Sequence, residues 1–269
     1  MLYAAIAALA SLALLAAVFI PLERVFPARP GQPVLRSAFS VDLCFFFGQY
    51  LLWSGLALGV LTHTNGFLRG ALPEPARALL MSQPLWIQVI LAVALGDILV
   101  YWFHRACHSF EWLWRFHAVH HSSDHLDWLA AHREHPVDGL LTQLCQNLPL
   151  IAIGVPTSAL AGFIMFRTLW AVFIHSNVRL PLGPLRVLLG APELHHYHHA
   201  RAERTSHNFA NLAPWLDVLF GTYHCPPKEE ETYELGLAEP WPKSYAAQLL
   251  HPFVGQALAR LRLLTARRT

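Results

Sequence analysis

Histidine is unusually frequent in this chain of 269 residues: the 17 histidines equal the aspartates and glutamates together. Imidazole is the side chain that most commonly binds transition metals in proteins. Eight histidines fall into three short motifs with helical spacing: His104, His108, His117, His120, His121, His195, His198 and His199. Their types and spacing predict a metal site.

The first motif, H-R-A-C-H, places His104 and His108 four residues apart, and such residues are neighbours on a helix. The other two, H-A-V-H-H and H-H-Y-H-H, share the spacing i, i+3, i+4, from which His196 departs. Any one motif could be a basic patch at a membrane surface. Three of them at the ends of apolar segments favour metal binding.

The number of imidazoles indicates how many metals they bind. Imidazole suits Zn, Cu, Fe and Ni, and eight neutral ligands are too many for one tetrahedral zinc. We therefore predict two metals. The sequence lacks the zinc protease motif H-E-x-x-H and has no pair of E-x-x-H motifs, which argues against a carboxylate-rich di-iron site.

Apolar segments must position these motifs. Residues 2–20, 39–61 and 85–103 are each long enough to cross a bilayer, and no basic residue precedes the first, so we expect a retained transmembrane helix there. Residues 139–175 are too many for one span. Pro149, Gly154 and Pro156 interrupt them, which predicts two shorter helices in a hairpin that enters and leaves on one side.

Composition agrees with a membrane protein. Charged residues make up 13% of the chain, against about 25% in soluble domains, and mean hydropathy is +0.37. The net charge of +2 gives no reason to expect binding to nucleic acid. The four cysteines form no C-x-x-C pair, which argues against a zinc ribbon.

The arginines predict the orientation. By the positive-inside rule, the loop after the first span and the C-terminal tail are cytoplasmic, because they carry Arg24, Arg29, Arg36, Arg260, Arg262, Arg267 and Arg268. The third span then ends at the cytoplasmic face, as does the hairpin. We thus predict an all-α integral membrane protein with about four transmembrane helices and a cytosolic histidine-rich cap, with all motifs on the cytoplasmic face.

Three segments are expected: N-terminal transmembrane helices and loops in 1–84, a catalytic domain in 85–225, and a C-terminal cytoplasmic tail in 226–269. Between residues 85 and 224 the chain resembles the fatty acid hydroxylase/sterol desaturase superfamily. The resemblance rests on D-I-L-V-Y-W-F-H-R-A-C-H, W-R-F-H-A-V-H-H-S-S, H-S-N-V, P-E-L-H-H-Y-H-H and W-L-D-V-L-F-G-T-Y. The alkylglycerol monooxygenase-like and bacterial sterol desaturase-like branches are the most similar.

The resemblance implies a catalytic site with two ferrous ions, O2 as co-substrate and oxidation of a C–H bond. The eight motif histidines match the ligand positions of the family, and His175 matches a further histidine that is commonly a ligand. Some members have another histidine where this chain has Arg179. That leaves the last ligand open, with His135 as a candidate replacement, whereas His132 is expected at the surface.

Several other residues have plausible supporting roles. Asp97 either orients a ligand histidine, binds a polar end of the substrate, or pairs with Arg167 within the apolar hairpin. Asn177 and Asp217 fit a position behind the ligands, or helix capping. Arg133 is expected at the membrane interface.

The predicted function is hydroxylation of a membrane lipid-like substrate: fatty acyl, sterol or ether lipid. Desaturation or methyl oxidation at the same irons is an alternative, because both begin with the same hydrogen abstraction. A non-catalytic metal-binding membrane protein is a third, although its ligands should follow the spans. The sequence has no flavin or nicotinamide fingerprint, so we expect a separate electron donor: a reductase, a ferredoxin or a cytochrome.

Overall fold

The computed structural model describes residues 2–68, 73–155, 157–201, 205–225 and 233–266. Regular structure in these residues is helical, with two isolated β-bridges, Pro27 to Val178 and Ala200 to Leu235. The all-α prediction is confirmed. The α-helices are α1 (Leu2–Val25), α2 (Phe39–Gly48), α3 (Ser54–Leu68), α4 (Glu74–Met81), α5 (Leu85–Ser109), α6 (Glu111–His121), α7 (Pro136–Ala152), α8 (Thr157–His175), α9 (Pro192–His198), α10 (Trp215–Leu219) and α11 (Tyr245–Ala266).

Three helical segments are long and apolar enough to cross a membrane: Leu2–Val25, Phe39–Thr64 and Leu85–Ser109. They contain the three predicted spans. A shorter apolar segment, Gly162–His175, lies in the predicted hairpin. The third span extends past residue 103 to the end of α5, so that it carries the first histidine motif in its last turns.

The second span contains a π-helical turn, Gln49–Trp53, between α2 and α3. Such turns insert an extra residue into the helix and are frequent at functional sites. Here Gln49 accepts a hydrogen bond from Nδ1 of His132 at 3.0 Å, and its amide nitrogen lies 3.3 Å from Oε2 of Glu134. The turn thus links the second span to the segment between α6 and α7.

The hairpin consists of α7 and α8, as predicted. Pro149, however, does not end α7. Pro149 lies inside α7, which ends at Ala152. Gly154, whose φ of +88° suits glycine, ends the helical course of the chain. The amide of Val155, the next residue, donates to the carbonyl of Leu150. Proline deprives the helix of one donor, whereas the left-handed glycine turns the chain. Pro156 lies outside the described residues.

Apolar packing joins the spans to the cap. Phe19 of α1, Phe46 of α2 and Val172 of α8 form one buried cluster with Trp128 and Leu129, which lie in the segment between α6 and α7. A second cluster packs the hairpin on α3 and α5. The segment between α6 and α7 is therefore fixed against α1, α2 and α8.

A buried network of four charges reinforces this junction. Arg36 makes two hydrogen bonds of 2.7 Å with the carboxylate of Asp127, and its Nη2 lies 2.6 Å from Asp42. Asp42 also pairs with Nε of Arg133 at 2.5 Å. All four residues are buried. The expectation that Arg133 lies at the membrane interface is wrong, because Asp42 offers it a buried partner.

The predicted C-terminal tail contains a long helix, α11. Its first residue, Tyr245, packs edge-on against Phe45 of α2, with ring centroids 4.8 Å apart. Phe253 packs against Phe116 of α6 at 5.4 Å. The helix thus covers the outer side of the second histidine motif.

Candidate metal centre

Two helices that meet at a sharp turn bring the first two motifs together. Phe110, with φ −103° and ψ 123°, ends α5 and precedes α6. Its extended backbone turns α6 back against α5. As a result the ring of His108 lies 5.0 Å from that of His117 and 4.7 Å from that of His121.

Five buried histidines form the first group, which we call the five-histidine group. One ring nitrogen from each lies within 4.8 Å of those from the others. The group draws on three helices, α5, α6 and α9. Its members are His104, His108, His117, His121 and His198.

Four buried histidines form a second group, the four-histidine group: His120, His175, His195 and His199. Nε2 of His175 lies 3.0 Å from Nε2 of His120 and 2.9 Å from that of His195, which lies 3.2 Å from Nε2 of His199. The two groups are adjacent. His121 of the first stacks on His199 of the second, with ring centroids 4.3 Å apart.

The structure divides each i, i+3, i+4 motif between the groups. His117 and His121 belong to the five-histidine group, whereas His120 belongs to the other. In the third motif, His198 joins the first group, and His195 and His199 join the second. Each of these two motifs therefore contributes rings to both groups.

Hydrogen bonds fix the ring protons of three members of the five-histidine group. Nδ1 of His104 lies 2.8 Å from the carbonyl of Phe209, that of His198 lies 2.8 Å from the carbonyl of His207, and that of His117 lies 2.9 Å from Asp138. Carbonyl and carboxylate oxygens accept, so each Nδ1 carries the proton in the neutral ring. The Nε2 lone pairs then point into the group.

The same reasoning applies to the four-histidine group and tests whether it fits a metal. Nδ1 of His120 donates to the carbonyl of Arg133 at 3.0 Å, and Nδ1 of His175 donates to that of Ala171 at 2.6 Å. Their Nε2 atoms are then lone pairs facing each other at 3.0 Å, an arrangement that a cation between them stabilises. Ligands about 2.0–2.1 Å from one metal are separated by about 3 Å, so the rings fit.

Buried nitrogens without a protein partner give independent support. Nε2 of His104, His117, His121 and His198, and both ring nitrogens of His108, are buried and without a partner in the described part of the chain. Unsatisfied buried polar atoms cost about 1–3 kcal/mol each. A metal ion would satisfy several of these nitrogens at once.

Comparison with known proteins agrees with this geometry. Residues 89–222 match the model of the fatty acid hydroxylase family. This part of the chain belongs to the fatty acid hydroxylase family. The predicted superfamily is thereby confirmed, and residues 89–222 contain all nine histidines of the two groups.

Curated relatives that match this part of the chain are named for different substrates. An ornithine lipid hydroxylase of Rhizobium tropici is 33% identical over 63% of this chain and 51% of its own length. An alkylglycerol monooxygenase of Homo sapiens is 33% identical over 58% of this chain and 33% of its own. A very-long-chain aldehyde decarbonylase of Oryza sativa is 32% identical over 58% and 57%.

The match therefore spans about half the length of the Rhizobium tropici relative and a third of the human one. No solved structure shows a significant match to the chain.

Burial lowers the pKa of several imidazoles in the two groups. It lowers the pKa of His120 from 6.5 to about 4, with His117 adding to the effect. The same cause, followed by neighbouring imidazoles, holds the pKa of His121, His195 and His199 well below its usual value. Neutral rings have free lone pairs at physiological pH. Neither group contains a carboxylate, so the ligands themselves add no negative charge.

His135 belongs to neither group. Its Nδ1 accepts from the amide of Val137 at 3.1 Å, so Nε2 carries the proton and donates to the carbonyl of Leu249 at 3.1 Å. The ring caps α7 and ties it to α11. Both nitrogens are used, and we propose no metal-binding role for His135.

Two other histidines are buried outside the groups. Nε2 of His196 lies 2.9 Å from the carbonyl of Ser176, in keeping with its predicted position off the ligand face. His132 is 4% exposed and packs against Phe46 at 4.8 Å, so its expected surface position is wrong. Its bond to Gln49 satisfies Nδ1, one of the two buried ring nitrogens.

The predicted supporting residues do not contact the ligand rings directly. Asp97 pairs with Arg167 at 2.5 Å and accepts from the amides of Leu212 and Ala213 at 3.3 and 3.0 Å. The pairing with Arg167 was one of the predicted alternatives. Asn177 bonds to the backbone of Arg29.

Asp217 supports a ligand through the backbone. It accepts from the amides of Phe209 and Ala210 at 2.8 and 3.0 Å, while the carbonyl of Phe209 orients His104. Asp217 therefore stabilises the loop that holds the ring of His104. Burial raises its pKa from 3.8 to about 6.

Sequence reasoning missed Asp138, which orients His117. Asp138 is 3% exposed, and Sγ of Cys107 lies 3.8 Å from its other oxygen. A carboxylate in the first turn of an apolar helix, close after a histidine motif, was the available signal. The backbone carbonyls that orient His104, His120 and His198 left no sequence signal, because every residue has one.

Proposed function

We propose that this protein is an O2-dependent di-iron oxygenase that hydroxylates a C–H bond of a membrane lipid. The observation that carries the proposal is the convergence of nine buried imidazoles in two adjacent groups. A structural histidine cluster would use its ring nitrogens for internal hydrogen bonds, whereas here the inner nitrogens of the five-histidine group have no protein partner.

In the proposed reaction, two irons would supply O2 activation and the oxidation of the C–H bond. The five-histidine group would hold one and the four-histidine group the other. The protein's own part is to orient the rings and to keep the protons on Nδ1. Asp138 and the carbonyls of Phe209, Arg133, Ala171 and His207 do this for five of the nine rings.

Aromatic side chains exclude water from the five-histidine group. Phe209 is 3% exposed, and its ring lies 5.3 Å from that of His108 and 5.7 Å from that of His104. Trp114 lies against His108 at 5.0 Å and His121 at 5.4 Å. A dry site protects a reactive oxidant from side reactions, which suits attack on an unactivated C–H bond.

A lipid substrate is supported by the names of two relatives, an ornithine lipid hydroxylase and an alkylglycerol monooxygenase. Fatty acyl, sterol and ether lipids fit equally well. The relative named as an aldehyde decarbonylase supports keeping desaturation or methyl oxidation as a second candidate reaction, because the family's named reactions differ. A metal carrier is disfavoured, because the ligands are gathered in two adjacent groups.

We also propose a separate electron donor, a reductase, ferredoxin or cytochrome, since the reaction needs two electrons. The arginine distribution supports placing both histidine groups on the cytoplasmic face, where such a donor could reach them.

Labelled oxygen provides the test. Cells with and without the protein would be grown under ¹⁸O2, and their lipids compared by mass spectrometry. A lipid carrying one ¹⁸O atom, formed with wild type and His196→Ala but not with His198→Ala, is the expected result. An unlabelled desaturated product would favour desaturation over hydroxylation. Two results together would contradict both reactions: unchanged lipids in the cells, and no iron in the protein after anaerobic purification.

A further inference from the structure

Helix α10 is one and a half turns long and has two different faces. Leu216 and Asp217 are buried, whereas Trp215, Val218 and Leu219 are 41%, 53% and 65% exposed. Phe220, which follows the helix, is 36% exposed. The outer face is therefore apolar, and the helix's one charge points inward to the loop that orients His104.

The loop before α10 lies within the length of the third span. The amides of Leu212 and Ala213 donate to Asp97, and Asp97 precedes Ser109, the last residue of α5, by twelve residues. Twelve residues correspond to about 18 Å along a helix axis. From the side of α8, Nε1 of Trp170 donates to the carbonyl of Asn211 at 3.2 Å.

The residue after α10 contacts the third span closer to its end. Phe220 packs against Trp102 with ring centroids 4.8 Å apart, and Trp102 is itself 47% exposed. Arg105 lies over the Trp102 ring at 5.5 Å. A tryptophan with an arginine beside it is typical of the boundary between acyl chains and headgroups. Along the axis of α5, helix α10 thus lies between Asp97 and Trp102.

A second apolar segment joins this surface. The amide of Gly190 donates to the carbonyl of Leu212 at 2.8 Å, which fixes the neighbouring 3-10 helix, Gly183–Val187, beside the loop. Three leucines in and after that helix are exposed: Leu185 at 54%, Leu188 at 59% and Leu189 at 44%.

We propose that these exposed residues of α10 and of the 3-10 helix form a lipid-contacting surface, inserted into the acyl-chain layer of the membrane beside the third span. The surface is continuous with the lipid-facing side of α5, lies within the length of that span and consists of apolar side chains. In water such a surface would be costly, at about 25 cal/mol per Å² of apolar area. In the bilayer it is stabilising, and the same helix then separates acyl chains from the five-histidine group.

Depth-dependent quenching tests the proposal without using enzyme activity, so its outcome does not depend on the proposed function. An environment-sensitive fluorescent amino acid would replace Val218 in the full chain, reconstituted in phosphatidylcholine vesicles. Leu91, exposed on α5, serves as the membrane reference, and Glu239, exposed in the cap, as the aqueous reference. Lipids with brominated acyl chains quench from within the bilayer, and iodide quenches from water.

We expect brominated lipid to reduce emission at position 218 by a fraction similar to that at 91, and iodide to have much less effect than at 239. The same label at Leu188 repeats the test on the other segment. Iodide quenching equal to that at 239 would overturn the proposal. Protection from both quenchers would also overturn it, because the surface would then be covered by a second copy of the chain or by another protein.

Discussion

Nδ1 of His117 lies 2.9 Å from Oδ2 of Asp138, and both side chains are almost completely buried. A carboxylate in this position holds the imidazole in one orientation and one tautomer and makes Nε2 a better ligand. Nε2 of His117 points into the five-histidine group and has no protein partner. Asp138 is therefore a positioning residue for the proposed metal centre.

Asp138→Asn should weaken metal binding about 10- to 100-fold, because the amide no longer stabilises the ring proton by its charge. Iron affinity of the purified protein is the measurement. Asp124→Asn is a matched control: Asp124 makes the same 2.9 Å bond with His125, but both side chains are partly exposed and outside the groups. Equal affinity of Asp138→Asn and wild type would contradict a positioning role.

Single alanine substitutions should separate ligands from other buried histidines. His198→Ala and His120→Ala each remove a lone pair from one group, so bound iron and product should both fall. His196→Ala and His135→Ala should retain most of both, because those rings bond to backbone groups. Iron per chain is measured beside product. Loss of iron in His196→Ala with retention in His198→Ala would invalidate the division into groups.

The buried charge network should matter for both stability and the four-histidine group. Asp42→Asn removes the buried carboxylate that pairs with Arg133, a change that typically costs about 3–5 kcal/mol. Because the carbonyl of Arg133 orients His120, iron binding should also weaken. Stability is measured by thermal unfolding in detergent. The exposed pair Arg201–Glu234 is the control, and Glu234→Gln should change stability by less than about 1 kcal/mol.

Acid should destabilise the metal-free protein. Burial lowers the pKa of His132 and of His196 from 6.5 to about 4. Between these values the unfolded chain binds more protons than the native one, so stability falls as pH falls, by on the order of 3 kcal/mol per residue at the low end.

His132→Phe should reduce this pH dependence, because phenylalanine fits beside Phe46 and Tyr50 but does not titrate. Unfolding temperatures from pH 7 to about pH 5 provide the measurement. An unchanged slope in this variant would exclude His132 as a contributor. His125→Phe, at a partly exposed position, is the control.

The proposed orientation predicts a silent reporter at the C-terminus, when the reporter is an enzyme active only outside the cytoplasm. The same reporter fused after Pro84, between the second and third spans, should be active and serves as the positive control. Activity at the C-terminus together with silence after Pro84 would reverse the orientation.

The sequence by itself determined the helical phase of the histidine motifs and the places where apolar segments begin and end. Both depend on local rules: 3.6 residues per helical turn and the hydrophobic thickness of a bilayer. It also indicated His175, which the resemblance added, and the pairing of Asp97 with Arg167 as one of three alternatives. For the motif histidines and His175 the necessary signal lay within a few turns or within a family motif. Asp97 and Arg167 are 70 residues apart, and the sequence related them only as charged residues within apolar segments.

Only the tertiary structure decided how the rings divide into groups of five and four, because α5, α6, α8 and α9 must first pack. It also placed His132 and Arg133 in the interior, where Gln49 and Asp42 of the second span bond to them. Those partners are 83 and 91 residues away in sequence. Spacing within a motif carries no information about a partner so distant, and burial of a polar group depends on whether such a partner exists.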